Sequence, residues 1–152
     1  MKVIVLAAGL VLLPAAVLAQ SFQNLPANVQ AAIAENVKSC DGKTTFKDGF
    51  VSEQDVNGDG VVDYVLDYGN FVCDGNEGYF CGTGGCLTQV FASLRGGYVK
   101  ALDENVRDLK FRRVKGRHAM VLDLHGSACG KVGAAACPKT LLWNGTKFVP
   151  AR

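Results

Sequence analysis

Histidine is scarce in this chain: only His118 and His125 occur among 152 residues, seven positions apart and with no third ligand beside them. That scarcity leaves little basis for a histidine-built transition-metal centre. Net charge is nearly absent too, with 16 Lys and Arg against 14 Asp and Glu giving +2. Whole-protein charge therefore selects no class of partner, nucleic acid included. The glycine-rich stretch CGTGGC, Cys81 to Cys86, lacks the Lys-Ser/Thr and the strand-to-helix setting that a phosphate cradle needs. It reads as a cysteine-closed loop.

What is present begins with Lys2, an apolar run from Val3 to Ala19 that contains Pro14, and the ending Val17-Leu18-Ala19 before Gln20. A basic start, an apolar centre and a small-residue end predict a secretory signal peptide over residues 1–19, leaving one β-rich domain over 20–152. The run barely reaches spanning length, so no stable membrane insertion is expected once it is cut. Periplasmic or secreted location follows. All six cysteines lie in the exported part, and an even count in an oxidising compartment predicts three disulfides. The preferred pairing is Cys40 with Cys73, Cys81 with Cys86, and Cys129 with Cys137, because the last two close Gly-rich loops locally. A zinc site from Cys81, Cys86, Cys129 and Cys137 fits less well, since its spacings suit zinc knuckles poorly.

Leu25, Val29, Ile33 and Val37 recur at helical spacing, which predicts one amphipathic helix over about 24–37, with Asn24 as cap and Pro26 in the first turn. After it the period shortens. Eight runs rich in β-branched and aromatic residues, at 50–54, 61–68, 87–94, 98–102, 108–114, 118–124, 140–143 and 147–149, alternate with the turn signals Gly96-Gly97, Lys115-Gly116 and Asn144-Gly145. Asn144-Gly145 reads as a type I′ turn. The fold class is mostly β: an N-terminal helix followed by an antiparallel β-meander. VLDYG at 65–69 reappears as VLDLHG at 121–126, each followed by a cysteine loop and then strand, turn, strand. Two blade-like units, about 50–102 and 108–150, are expected, too few to close a propeller.

The most specific stretch is DVNGDGVVD, Asp55 to Asp63. Oxygen-bearing side chains stand at positions 1, 3, 5 and 9 with glycine at position 6, the arrangement a tight loop needs to surround calcium with oxygens. Asp55, Asn57, Asp59 and Asp63 are the side-chain candidates, and Val61 offers its carbonyl. The helix-loop-helix sensor is excluded because position 12 is Leu66 where a bidentate Glu is needed, and the flanks read as strands. The second unit has FRRVKGRHAMVLD in the corresponding place, with bases where the acids stood.

DVNGDGVVDYVLDYG followed by QVFASLRGGYV resembles the FG-GAP or VCBS-type repeat of secreted bacterial proteins. The resemblance implies a blade-like β unit, calcium held by Asp55, Asn57, Asp59, Val61 and Asp63, an extracytoplasmic location, and an adhesive or structural role without catalysis. An envelope or extracellular protein, or an anionic polymer, is then the expected partner. The segment Arg107 to Arg117, with six bases against Asp108 alone, reads first as a solvated hairpin and second as a surface for such a polymer. Two other classes remain in view. One is a small envelope hydrolase using Asp123 and His125, which alternate with Ser127 on a strand, although neighbours on one strand face stand about 7 Å apart. The other is a secreted inhibitor of a hydrolase.

Overall fold

Residues 22–151 are described by a computed structural model; the leader read over residues 1–19 lies outside them. Helix α1 spans Ala27–Val37. It starts later than the periodicity predicts, because the residue before a proline is driven to extended backbone and Leu25 cannot enter the helix. Pro26 becomes the N-cap, and its carbonyl accepts from the amides of Val29 and Gln30 at 3.0 Å each. Asn24 does not cap.

Eleven strands follow: β1 Thr44–Phe46, β2 Val51–Gln54, β3 Asp63–Asp67, β4 Phe71–Cys73, β5 Cys81–Gly82, β6 Gly85–Leu94, β7 Gly97–Val106, β8 Asp108–Val114, β9 Arg117–Leu124, β10 Cys137–Trp143 and β11 Phe148–Pro150. Strands β2, β3, β6 and β7 form one antiparallel sheet in that order, with β5 extending it beside β6. A second sheet runs β8, β9, β10, β11, and β1 pairs with β4 as a separate ribbon. The two larger sheets thus share a strand order. In each, the second strand is followed by a short 3-10 turn, at Tyr68–Asn70 and at Gly126–Cys129, and by a disulfide loop. Among the described residues neither sheet closes into a barrel or propeller.

Alternation along β3 and β6 sorts the side chains into two layers. Val65 lies opposite Val90, which lies opposite Leu102, and these face the second sheet, where Met120, Leu122 and Leu124 complete the core. Leu66 and Phe91 point the other way, against Val29 and Ile33 of α1 together with Phe50, Tyr68 and Phe71. The aromatic layer is close-knit, with ring centroids 4.6 Å apart for Phe46 and Phe50 and 5.2 Å for Phe50 and Tyr68. The Tyr68 hydroxyl is buried here. It donates to Gln89 Oε1 at 3.2 Å and accepts from Asn36 Nδ2 at 2.8 Å.

The three disulfides are Cys40–Cys73, Cys81–Cys86 and Cys129–Cys137, with Cα separations of 5.8, 4.0 and 5.8 Å. The first ties the end of α1 to β4, and the second joins residues directly opposite each other on β5 and β6. Such bonds belong to an oxidising, extracellular-type environment. No described helix is long and apolar enough to cross a membrane. The hairpin turns centre on Arg95-Gly96 and Lys115-Gly116, with all four residues at positive φ, the backbone of type I′ turns. Asn144-Gly145 is different. Trp143 lies opposite Phe148, so the connection has four residues, and Asn144 Oδ1 organises it by accepting from the amides of Thr146 and Lys147 at 3.0 Å each.

Two outcomes follow from this packing. Leu66→Ala, opening a void at a fully buried position, lowers unfolding free energy by about 2–5 kcal/mol in denaturant titration. Burial pushes the Tyr68 hydroxyl up to about 12 from 10.0. A raised folded-state pKa gives stability that is complete below the unfolded value and lost as pH rises through the folded one, so stability falls between pH 10 and 12. Tyr68→Phe removes that component of the alkaline loss, read by chemical denaturation across the pH series.

Candidate metal loop and its surroundings

The stretch from Asp55 to Val62 is the tip of the β2–β3 hairpin, whose last pair is Gln54 opposite Asp63. Its oxygens are turned onto backbone. Asp55 accepts from the amides of Gly58 at 2.6 Å and Gly60 at 2.9 Å, Asn57 Oδ1 from Asp59 at 2.9 Å, and Asp59 Oδ1 from Val61 at 2.8 Å. Each Asx side chain thereby sets the turn ahead of it. The loop's other half faces inward: Val56 is buried in the core between the two sheets. Val61 and Val62 remain exposed at the tip.

Asp63 differs from its neighbours because it is fully buried. Its Oδ2 accepts from the amides of Val56 at 2.7 Å and Asn57 at 3.3 Å, and its Oδ1 from Ser93 at 2.6 Å. The β3–β6 ladder ends at Tyr64 opposite Phe91. The carboxylate takes up the Ser93 N–H just beyond that point. Ser93 also donates its hydroxyl to Asp59 Oδ2 at 2.7 Å and accepts on its carbonyl from the Asn57 side-chain Nδ2 at 2.9 Å. The Ser93 hydrogen bond is the main reason that Asp59 titrates below the usual carboxylate range. Sequence reading missed Ser93, which lies thirty or more residues away in a strand and carries no local signal.

His118, at the start of β9, packs its ring against this loop. A Cβ at Gly58 would fall 2.3 Å from His118 Nε2, and Gly58 has φ +85, so the position is closed to side chains by backbone and by neighbour alike. Nε2 itself is buried without a hydrogen-bond partner among the described residues. His125 lies beyond the opposite end of β9, packed on Gly133, so the two imidazoles share no site.

Among the described residues no three His, Cys, Asp or Glu side chains gather closely enough to hold a metal ion. The donor set is nevertheless all oxygen and suits a hard cation. A carboxylate oxygen accepting one N–H keeps a second lone pair.

At the other end of β9, Asp123 accepts from the Cys137 amide at 3.2 Å. It caps the disulfide loop. Ser127 leaves the strand on the 3-10 turn, which brings its Oγ 2.7 Å from His125 Nδ1, while its backbone N–H approaches the same nitrogen at 3.4 Å. The 7 Å spacing expected on a strand does not apply, because β9 ends at Leu124.

Three of the six bases of the basic segment, Arg107, Arg113 and Arg117, donate to backbone carbonyls. Arg107 Nη2 reaches the carbonyls of Thr83 at 3.0 Å and Gly133 at 2.6 Å, its Nη1 reaches Ala135 at 3.3 Å, and it thereby joins the two disulfide loops. Arg113 donates to the Gly116 carbonyl and Arg117 to that of Trp143. Lys110 pairs with Asp108 at 2.6 Å.

Comparison with family models, with curated proteins and with solved structures finds no match to this chain. The Asp63 clasp makes a separable demand. Asp63→Ala leaves three buried N–H groups unpaired and costs on the order of 3 kcal/mol or more in urea unfolding, whereas Ser93→Ala keeps its backbone donor and costs about 1 kcal/mol.

Proposed function

We propose that this chain is an exported, non-catalytic binding or structural module whose Asp55–Asp63 loop holds one calcium ion, and that the ion acts as a staple for the hairpin. Asp55, Asn57, Asp59 and Asp63 would supply side-chain oxygen and Val61 its carbonyl. The observation that carries the reading is uncompensated negative charge. None of the ion pairs among the described residues involves Asp55, Asp59 or Asp63, although Asp63 is completely buried. Backbone N–H groups stabilise such a charge in part, and a buried carboxylate gains further from a cation beside it.

Calcium suits that role because the donors are hard oxygens already held by a network of turns. An ion bound only by the folded state adds RT ln(1 + [L]/Kd), about 2.7 kcal/mol at a hundredfold excess over Kd. Partners would be an envelope or extracellular protein or an anionic polymer, met outside the cytoplasm where the disulfides persist. The repeat-like strand order of the two sheets supports kinship in architecture with FG-GAP or VCBS-type units.

The hydrolase reading retains one observation, the 2.7 Å approach of Ser127 Oγ to His125 Nδ1. Asp123 is engaged at Cys137 and does not orient the imidazole. A fluorophosphonate probe that labels the wild type but not Ser127→Ala would establish that reading, and absence of labelling removes it.

For the calcium reading, the melting temperature rises by several degrees with calcium and falls back with a chelator. Asp59→Ala abolishes the response. The Ser93 hydrogen bond holds the Asp59 pKa down without any ion, so the stability this carboxylate itself contributes is present above the unfolded carboxylate value and is lost as pH falls through the folded one. Thermal melts that are identical in calcium and in chelator would overturn the proposal.

A further inference from the structure

The inner face of the first sheet changes character along its length. Val65, Val90 and Leu102 are apolar and covered by the second sheet, but the same face continues as Ser52, Gln54, Asp67 and Thr88. The register places them together: Ser52 lies opposite Val65, and Asp67 opposite Thr88. Inner positions of a two-sheet packing are ordinarily apolar, since a buried polar group needs a partner. Here the second sheet does not reach over β2, and the polar positions line a cleft of about 690 Å³ bounded on the other side by β8. Phe111 of β8 and Asn70 of the 3-10 turn complete its walls.

We propose that this cleft is a binding site for a short neutral saccharide. Its volume falls in the range of small-ligand sites, about 300–1,000 Å³. Its hydrogen-bonding groups are hydroxyl, amide and carboxylate, and several are free to serve a ligand. Ser52 and Gln54 make no side-chain hydrogen bond among the described residues, and Thr88 makes only a long one, 3.4 Å to the Cys86 carbonyl. Asp67 accepts from the Gly69 amide at 2.9 Å and from Asn70 Nδ2 at 3.2 Å, which fixes its carboxylate and leaves lone pairs for hydroxyl donors.

The cationic groups at the cleft argue against an anion. Arg107 is held by carbonyls of the disulfide loops, and Lys110 is paired with Asp108. What remains is a polar wall of hydroxyls and amides with one carboxylate, Asp67, that no ion pair among the described residues engages, facing a cleft that Phe111 also lines. A sugar presents that combination in reverse, with hydroxyls around its edge and a C–H face that packs on an aromatic ring.

Gln54 adjoins the Asp55–Asp63 loop, but Ser52, Asp67, Asn70 and Thr88 lie farther along from it, so saccharide binding is expected with or without calcium. The test is an NMR titration of the isotopically labelled protein with maltotriose, cellotriose and chitotriose, and with a sulfated heparin tetrasaccharide, in calcium and again in chelator. At least one neutral trisaccharide, at millimolar concentration, shifts the Thr88 backbone amide and the side-chain amides of Gln54 and Asn70. Thr88→Val and Gln54→Ala each weaken that binding about tenfold or more, which is 1.4 kcal/mol, while their spectra remain those of the folded protein. The proposal is overturned if no neutral trisaccharide shifts these groups, if only the sulfated one does, or if the shifts survive both substitutions. Binding that persists in chelator while the melting temperature ignores calcium would remove the calcium reading and leave this one standing.

Discussion

A single buried carboxylate organises the part of the molecule where hairpin, loop and core meet. Asp63 opens β3, yet its side chain performs backbone work, accepting the amides of Val56 and Asn57 from the loop and that of Ser93 from β6. Without those bonds, three N–H groups would be stranded in a dry interior, each costing about 1–3 kcal/mol. The clasp also fixes Val56, the loop residue that fills the core between the sheets. Local turn chemistry and long-range packing are therefore satisfied by one group.

The two sheets meet on this foundation unequally. Where β9 starts, His118 lies against Gly58, so the second sheet packs directly on the loop of the first. Further along, coverage ends and polar side chains replace apolar ones. Strand order is shared between the sheets, but the hairpin tips are not. The first spans eight residues from Asp55 to Val62, while the second is the two-residue turn Lys115-Gly116. Two of the four bases that stand in the acids' place, Arg113 and Arg117, serve neighbouring carbonyls.

Much of the scaffold was legible because it rests on short-range signals. Alternation located seven of the eight expected strands to within three residues at each end, and an eighth, at 98–102, that extends to Val106. The disulfide pairs followed from loop economy. The strands missed, β1, β4 and β5, are only two or three residues long and exist through pairing with distant or cysteine-linked partners, which no local pattern records. The loop's composition was visible, but the partners of its oxygens were not. Ser93 and His118 reach it only after the chain has folded, and Asx turns and metal loops draw on the same residue types. The polar cleft was invisible for a similar reason: Ser52, Gln54 and Thr88 look like outward strand positions until the register shows which face they share.

Arg107 stands alone between β7 and β8, so the chain passes from one sheet to the other through one residue. Its amide donates to the Asp123 carbonyl at 2.8 Å, and its side chain grips both disulfide loops. A connection that short leaves no slack for the sheets to part while each stays intact. The halves of this repeat-like molecule are accordingly expected to lose structure together, with the slow amides of β6 and of β9 exchanging through one common opening event.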